Sequence, residues 1–176
     1  FLERAEIIWE KGTNRSQFFR GEIDKYTWID IGSSFLPSDL VAAFLYAQME
    51  NADTITSKRI AVWNRFNDAF EQLEEDGKLI RPKIPHHCTS NAHIYYFILN
   101  SLSKQREMLE HLANKNIQGV FHYVPLHSSP AGKKFGKVSE ELIHTDDLSR
   151  RLIRLPIWPD LSLENQEQII LAVKDF

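Results

Sequence analysis

The sequence predicts an α/β domain over residues 51–176, preceded over residues 1–50 by the tail of a different, larger domain. Three short apolar segments have the length and composition of strands: IYYFIL (94–99), VFHYVP (120–125) and LIRLPI (152–157). Helical patterns alternate with them and follow them, which is the order expected of an α/β domain. The first fifty residues do not supply a core of their own, and we therefore assign them to another domain.

The composition is that of a globular protein, with 43% hydrophobic and 26% charged residues and a formal net charge of −3. This charge gives no reason to expect nucleic acid as a partner. No apolar run approaches the roughly 20 residues that a bilayer-spanning helix needs, so we expect no membrane association. The single cysteine, Cys88, excludes an internal disulfide and favours a reducing, cytoplasmic compartment.

The chain opens within a helical pattern. It begins FLERAEIIWEKG without an initiating Met, and Gly12 is a typical helix stop. The spacing of apolar and charged residues before Gly12 is that of the middle or end of an amphipathic helix. We therefore expect the beginning of the polypeptide to be missing. An expression boundary or a processed N-terminus is the alternative.

Elements follow in order along the chain. Residues 13–36 are predicted to be irregular, and Ser38 is predicted to cap a well-buried helix over 39–50. A second helix over 54–75 ends at Gly77, and an extended connection over 78–92 follows. After the first strand, the remaining elements are predicted as follows: a helix over 104–114, the second strand, a loop over 126–138, short helical turns over 140–143 and 146–151 (the latter capped by Thr145), the third strand, and a helix over 163–174 capped by Ser162. Pro156 places the third strand at a sheet edge or marks its end.

Two groups of residues in the first fifty have the chemistry to bind an anion. Arg15, Arg20 and Lys25 lie among aromatic residues, a mixture that suits the phosphates and flat rings of a nucleotide-linked ligand. A solvated loop anchored by buried aromatic side chains is the alternative. Ser33 and Ser34 follow Gly32 shortly before a helix, where hydroxyl and backbone N–H groups can bind phosphate. Here the alternative is simple capping of local turns.

The segment FHYVPLHSS places polar side chains at a strand end, a common position for binding groups. His122 and Tyr123 alternate along the predicted strand and should therefore point to opposite faces, while His127 lies beyond it. Ordinary core or surface histidines are the alternative. His86, His87, Cys88 and His93 match no zinc-ligand spacing, and we expect no metal site.

The segment GSSFLPSDLVAAFLYAQME resembles one that reads roughly G-Y-N-Y-R-M-S-E-L-Q-A-A-x-x-x-x-Q-L in the DegT/DnrJ/EryC1/StrS family of sugar aminotransferases. The matching positions are Gly32, Ser38, Asp39, Leu40, Ala42, Ala43 and Gln48. FHYVPLH is similar to the family's H-Y-x-x-P-L-H segment, and the closing LIRLPIWPDLSLENQEQII also fits. The stretch KGTNRSQFFRGEIDKYTW with DIGSS looks most like the branch that aminates dTDP-4-oxo-6-deoxy-D-glucose.

The resemblance implies a type I, aspartate aminotransferase-like fold that depends on pyridoxal 5′-phosphate (PLP). Residues 1–50 would then be the tail of the large PLP-binding domain, and 51–176 the C-terminal small domain. The family forms homodimers with shared active sites, and its Schiff-base lysine would lie upstream of Phe1. No catalytic residue is therefore expected in this chain, and the chain alone should be inactive.

The resemblance also implies roles for individual residues. Ser34 stands where the family has an asparagine that reaches the PLP phosphate of the neighbouring subunit. Ser33, beside it, is the second candidate for cofactor binding. Leu36 replaces an arginine of the family segment. His122, Tyr123 and His127 would lie near the sugar, and Arg15 and Lys25 near its diphosphate. The implied reaction passes an amino group, commonly from glutamate, to the keto carbon of a nucleotide-linked 4-keto-6-deoxy sugar. A non-catalytic binding or dimerisation module, and a small enzyme using His122 and His127 as acid and base, are the alternatives.

Overall fold

The computed structural model describes all residues, 1–176. The chain forms two compact units, Phe1–Asn51 and Ala52–Phe176, which we call unit 1 and unit 2 and describe separately. Their identification with the tail of a large domain and with a small domain stays a prediction. No helix combines the length and the apolar character needed to cross a membrane.

Unit 1 contains three helices: α1 (Leu2–Trp9), α2 (Arg15–Phe19) and α3 (Asp39–Glu50). Helix α2 lies in the stretch predicted to be irregular, where its five residues are too few to produce a readable period. The predicted cap of α3 is confirmed, because the Ser38 hydroxyl oxygen accepts a hydrogen bond from the Val41 N–H at 3.4 Å. The backbone angles of Ser38 are extended, as a capping residue requires.

The prediction that α3 is well buried is wrong for this chain. Every residue of the helix is exposed, including Leu40 at 85% and Phe44 at 70%. The sequence pattern shows that a helix has apolar sides, but the pattern does not supply the surface that would cover them. In unit 1 as a whole, Gly12 is the only buried residue.

Unit 2 contains six α-helices and a short 3₁₀ turn at Leu126–Ser128. The helices are α4 (Ala52–Ala69), α5 (Glu71–Glu75), α6 (Leu102–Asn114), α7 (Pro130–Phe135), α8 (Ile143–Arg151) and α9 (Leu163–Lys174). The long helix predicted over 54–75 is divided at Phe70. The predicted loop over 126–138 instead holds the 3₁₀ turn and α7, whose N-terminus is capped by Ser129.

Helix α8 replaces the two separate turns predicted before the third strand. Thr145 lies inside this helix and does not cap it, because the helix begins two residues earlier at Ile143. The predicted cap of α9 is confirmed: the Ser162 hydroxyl accepts from the Asn165 N–H at 3.2 Å. The α/β class of the chain is likewise confirmed.

The four strands form one antiparallel sheet in the order β1-β2-β4-β3. They are β1 (Leu79–Ile80), β2 (Tyr95–Leu99), β3 (Val120–Phe121) and β4 (Leu152–Leu155). Strand β4 is paired on both sides. The third strand is therefore not at a sheet edge. The other position predicted from Pro156, the end of the strand, is confirmed, because Pro156 directly follows the last residue of β4, where its missing N–H breaks no ladder bond.

One face of the sheet forms the core of unit 2. Tyr95, Phe97 and Ile153 are fully buried there and pack against apolar residues of α4, α6 and α9. The opposite face carries Tyr96 and Arg154, which are directly paired between β2 and β4. Because side chains alternate along a strand, burying Ile153 and Leu155 places Arg154 on this second, more accessible face.

Candidate functional sites

Unit 1 has an open cavity of about 420 Å³, which we call the N-terminal cavity. It is lined by the turn after α1, the start of α2 and the segment before α3, with these residues: Glu10, Lys11, Thr13, Arg15, Tyr26, Ser34, Leu36, Pro37 and Ser38. Arg15 and Ser34, two of the residues predicted from the sequence, therefore lie on one cavity although 19 positions separate them in the chain.

Positive charge and hydroxyl groups dominate the polar lining of this cavity. The Arg15 guanidinium carbon lies 5.1 Å from the centre of the Phe19 ring, a contact that holds the guanidinium against a flat surface. Lys11 adds a second cation, which the sequence pattern did not single out. The one lining carboxylate, Glu10, already accepts a hydrogen bond from the Ser16 hydroxyl at 3.1 Å. Such a set of donors suits a phosphate group.

Two glycines bring the segments of the N-terminal cavity together. Gly12 has a φ of +83°, and its carbonyl oxygen accepts from the backbone N–H groups of Ile29 and Asp30. Gly32 passes so close to this turn that an added Cβ would lie 1.9 Å from the Gly12 nitrogen. Only glycine permits this approach, which fixes the position of the segment leading to Ser34.

Ser33 and Lys25 lie near the N-terminal cavity but do not line it. The Ser33 N–H and hydroxyl both donate to the carbonyl oxygen of Ile8, at 2.9 and 3.2 Å. In this arrangement the Ser33 hydroxyl proton is engaged by the end of α1. Lys25 is exposed to solvent. The binding roles of Ser33 and Lys25 stay predictions.

Unit 2 has a second open cavity, of about 410 Å³, on the face of the sheet opposite the core. We call it the sheet cavity. Its lining comes from α4, β2, β4, the residue after β3 and the extended segment before β2: Trp63, Pro82, Lys83, Ile84, Ser90, His93, Ile94, Tyr96, His122, Leu152 and Arg154. Of the residues predicted from the sequence, His122 lies on this cavity.

His122 and Tyr123 lie beyond the strand in which they were predicted. Strand β3 ends at Phe121, so the strand predicted over 120–125 is shorter than expected and contains neither residue. Their rings instead meet edge to face, with 5.5 Å between the ring centres. Tyr123 is 75% exposed, whereas His122 is half-buried and its Nδ1 atom is buried without a hydrogen-bond partner.

His127 is held by a different part of unit 2. It lies in the 3₁₀ turn, and its Nε2 atom is 3.1 Å from Oδ1 of Asp146 in α8, close enough for an ion pair although not aligned as a hydrogen bond. No sequence pattern indicated this partner, because 19 residues separate the two positions. His127 does not line the sheet cavity.

Arg154 is the main polar residue that the sequence interpretation missed. Its Nη2 atom donates to the Phe121 carbonyl oxygen at 3.1 Å, and its guanidinium carbon lies 5.5 Å from the centre of the Tyr123 ring. One signal was available: a charged residue in the middle of the apolar segment LIRLPI breaks the pattern of a covered strand. The sequence could not say which residues would surround it.

The histidines before β2 do not assemble a metal site. The rings of His86 and His87 meet edge to face at 5.2 Å, and His93 Nδ1 lies 2.7 Å from Asn91 Oδ1. No group of three or more His, Cys, Asp or Glu side chains is arranged to hold a metal ion.

Comparisons with known proteins identify relatives of the chain. It is 29% identical over 179 residues to protein MJ1066 of Methanocaldococcus jannaschii, covering 98% of this chain and 46% of that protein. It is 27% identical over 173 residues to GDP-perosamine synthase of Escherichia coli O157:H7, covering 93% of this chain and 44% of the synthase. The chain thus spans less than half the length of these relatives.

A solved structure supports the fold. The aminotransferase TlmJ from Streptoalloteichus hindustanus superposes with a TM-score of 0.80 at 20% identity, over 98% of this chain and 43% of TlmJ. The architecture described above is therefore part of a type I aminotransferase fold, as expected from the resemblance. Aminotransferases of this kind depend on PLP, and solved neighbours occur in PLP and pyridoxamine phosphate forms. The model of the DegT/DnrJ/EryC1/StrS aminotransferase family matches residues 2–174, and the chain belongs to this family of sugar aminotransferases.

Proposed function

We propose that this chain is part of a PLP-dependent enzyme that transfers an amino group to the keto carbon of a nucleotide-linked 4-keto-6-deoxy sugar. Unit 1 would be the tail of the large PLP-binding domain, and unit 2 the small domain. The observation that carries the proposal is the N-terminal cavity, where Arg15 and Ser34 meet in a member of a sugar aminotransferase family. The name of GDP-perosamine synthase, a relative, is consistent with a nucleotide-linked sugar.

The lining of the N-terminal cavity fits a phosphate group. The Ser34 hydroxyl is exposed and can donate to a phosphate oxygen of PLP bound to a neighbouring subunit. Arg15 can pair with a phosphate in two-point fashion, and Lys11 adds a point charge. PLP, when bound, supplies the electron sink for the reaction. In this proposal the residues of unit 1 hold phosphate groups and carry no proton transfer themselves.

The exposed apolar side chains of α3 are consistent with the proposed homodimer. Leu40, Phe44 and Met49 are each at least 65% exposed in this chain. An apolar surface of this kind on a helix usually meets a partner. We propose that α3 is covered in the assembled enzyme, by the rest of the large domain or by the second subunit, and that the shared active site forms there.

On the unit 2 side, His122, Tyr123 and His127 would lie near the sugar, with Lys25 of unit 1 near its diphosphate. An imidazole and a phenol can each donate a hydrogen bond to a sugar hydroxyl. Glutamate is the proposed amino donor, and dTDP-4-oxo-6-deoxy-D-glucose is the first acceptor to test. The Schiff-base lysine would lie upstream of Phe1, so the chain by itself is proposed to be inactive.

The test uses the reading frame that contains this chain. The protein encoded by that frame is expressed, supplied with PLP, and incubated with glutamate and a panel of dTDP-, UDP- and GDP-linked 4-keto-6-deoxy sugars. Mass spectrometry then follows the amino sugar product. Product formed from at least one nucleotide sugar supports the proposal, and none with any of them contradicts it.

Variants of the same enzyme test the N-terminal cavity. Arg15→Gln removes a charge-assisted contact, so KM for the nucleotide sugar should rise about tenfold or more. Ser34→Ala should weaken PLP retention during dialysis, measured from the visible absorption of the cofactor. Arg106→Gln, at an exposed position on α6, is the matched control. Equal KM values for Arg15→Gln and the control would remove Arg15 from the site.

A further inference from the structure

The sheet cavity of unit 2 is positively charged. Arg154 and Lys83 contribute permanent charges, and His93 and His122 contribute imidazoles. No Asp or Glu is among the lining residues. A concave site with cations and no lining carboxylate attracts anions, because nothing in the wall offsets its charge.

Arg154 has unused hydrogen-bonding capacity in this cavity. Its side chain forms no ion pair, and the one hydrogen bond of the side chain is the contact from Nη2 to the Phe121 carbonyl. Its Nε atom is buried and lacks a partner. A guanidinium has five N–H donors, and leaving such a donor buried without an acceptor is unfavourable. An oxyanion placed in the cavity would remove this penalty.

His122 provides a second unpartnered group on the same cavity. Its Nδ1 atom is buried and has no hydrogen-bond partner, although the ring lines the cavity. Phe121, whose carbonyl holds Arg154, directly precedes His122 in the chain. The Arg154 side chain is therefore held next to His122, because it bonds to the backbone of the preceding residue.

The fold holds Arg154 in place before any ligand arrives. Arg154 lies on the central strand β4, opposite Tyr96 of β2 on one side and Val120 of β3 on the other. The Tyr123 ring, 5.5 Å from the guanidinium carbon, supports it further. A binding group on a rigid, doubly paired strand loses little freedom when a ligand binds.

We propose that the sheet cavity is a binding site for an oxyanion group, a carboxylate or a phosphate, with Arg154 as its principal ligand and His122 as the second. At about 410 Å³ the cavity has room for a small organic molecule and not only a bare ion. The source of the anion rests on the proposed function, which supplies two oxyanions. One is the carboxylate of the amino donor, and the other is the diphosphate of the nucleotide sugar, in the case that the sheet cavity holds it in place of Arg15 and Lys25.

The experiment uses the full 176-residue chain, labelled with ¹⁵N, and follows the Nε–H resonance of Arg154 by NMR. The chain is titrated separately with glutarate, which carries carboxylates only, and with thymidine diphosphate. A saturable shift with either probe supports the proposal. Tighter binding of glutarate identifies the amino donor as the source of the anion, and tighter binding of thymidine diphosphate identifies the nucleotide. No saturable shift with either probe overturns the proposal.

Substitutions locate the site. Arg154→Gln should weaken binding at least tenfold, because it removes the charge and the paired donors. Arg154→Lys, which keeps the charge and loses the planar geometry, should weaken it less. Arg106→Gln, on the exposed side of α6, should bind within about twofold of the unaltered chain. Equal affinity of the Arg154→Gln and Arg106→Gln variants would overturn the assignment.

Two measurements keep these outcomes interpretable. Thermal unfolding and the core amide resonances show whether Arg154→Gln still folds, and Arg154→Lys replaces it if it does not. Amino transfer does not enter the readout. An absent shift therefore removes the sheet cavity as an anion site and leaves the proposed aminotransferase activity intact. If the Arg154 resonance shifts but the enzyme shows no amino transfer, the sheet cavity stands as an anion site and the proposed aminotransferase activity is contradicted.

Discussion

At the scale of single residues, Tyr95 is unusual because its hydroxyl is buried without a hydrogen-bond partner. The ring packs edge to face against Trp63 and Phe66, with 5.5 Å between ring centres in both cases. Burial raises the pKa of the phenol well above its ordinary value, so the group stays neutral. The aromatic ring contributes to the core, whereas the hydroxyl group opposes burial.

We expect Tyr95→Phe to stabilise unit 2. Removing a buried, unpaired hydroxyl removes a desolvation cost, so the free energy of unfolding should rise by about 1 kcal/mol. Urea unfolding followed by circular dichroism measures the change. Tyr46→Phe, at a side chain that is 66% exposed, is the matched control and should change stability by less than about 0.5 kcal/mol. A loss of stability in Tyr95→Phe would mean that the hydroxyl is in fact hydrogen-bonded.

Arg81 and Glu74 form an ion pair in unit 2 whose side chains are only 15% and 26% exposed. The Glu74 carboxylate accepts two hydrogen bonds from Arg81, one from its backbone N–H and one from its Nε, each at 2.9 Å. Arg81 Nη1 also donates to the Asn67 carbonyl at 2.7 Å. The backbone N–H and then the guanidinium of Arg81 lower the pKa of Glu74. These contacts fix the chain where it leaves β1.

The lowered pKa of Glu74 predicts a pH dependence of stability. Since the folded-state pKa is below the unfolded value of about 4.3, the contribution of Glu74 is complete above that value. It is lost as pH falls through the folded pKa. Glu74→Gln should lower the free energy of unfolding by about 1 to 2 kcal/mol at pH 7 and flatten its decline in acid.

Urea unfolding at several pH values between 7 and 3 checks this prediction. Glu75→Gln is the control, because this exposed neighbour forms no ion pair. If Glu74→Gln and Glu75→Gln decline in parallel with the unaltered chain, Glu74 is not the source of the acid sensitivity.

At the scale of single elements, serine caps decide where several helices begin. Ser162 caps α9, whose Ile169, Ile170 and Val173 belong to the core of unit 2. Ser38 caps α3, none of whose residues is buried. The same local chemistry therefore has different consequences in the two units.

We predict that Ser162→Ala lowers the free energy of unfolding of unit 2 by about 1 kcal/mol, because the Asn165 N–H loses its acceptor. Ser162→Asp should restore most of this loss. Ser38→Ala is the paired control, and in the isolated chain it should leave the main urea transition unchanged. An unchanged transition for Ser162→Ala would indicate that packing alone positions α9.

Elements with long, regular patterns were predicted well from the sequence, and short ones were not. Helices α3 and α9 have the bounds or caps that their residues predict, because capping and periodicity are local properties. The segment over 126–138 was predicted as a loop because its two glycines and Pro130 suggest turns. In the structure, Pro130 is the first residue of α7, a position where its missing N–H costs no hydrogen bond.

At the scale of the whole molecule, the two units differ in how they are stabilised. Unit 2 has a continuous core that includes Phe66, Phe97 and Ile153, whereas Gly12 is the only buried residue of unit 1. Burial of apolar surface is the main stabilising contribution to a fold. In the 176-residue chain, unit 2 should therefore be much more stable than unit 1.

Hydrogen exchange measured by NMR checks this difference. Amides of β2 and β4 should exchange slowly. Amides of α3 should exchange within a small factor of the unprotected rate, because local unfolding of this helix exposes no buried apolar side chain. The measurement is repeated at two protein concentrations as a control for self-association. Slow exchange of α3 at both concentrations would contradict the prediction.

The candidate sites could be predicted only in part. Arg15 and Ser34 were selected from the sequence, and the structure adds that they line one cavity. Lys11 was missed because a lone lysine after a helix carries no recognisable pattern. Arg154 was missed because its significance depends on its buried Nε atom, which has no hydrogen-bond partner. The spacing of residues along the sequence does not show that a partner is missing.

The sequence by itself determined the α/β class, the capped helices and the family to which the chain belongs, since these follow from local propensity and from motifs along the chain. The tertiary structure alone decided the strand order β1-β2-β4-β3, the exposure of α3 and the meeting of Arg154 with His122. These features depend on which distant residues come together. That choice is made by burying the most apolar surface over the whole of unit 2, and no local stretch of sequence contains it.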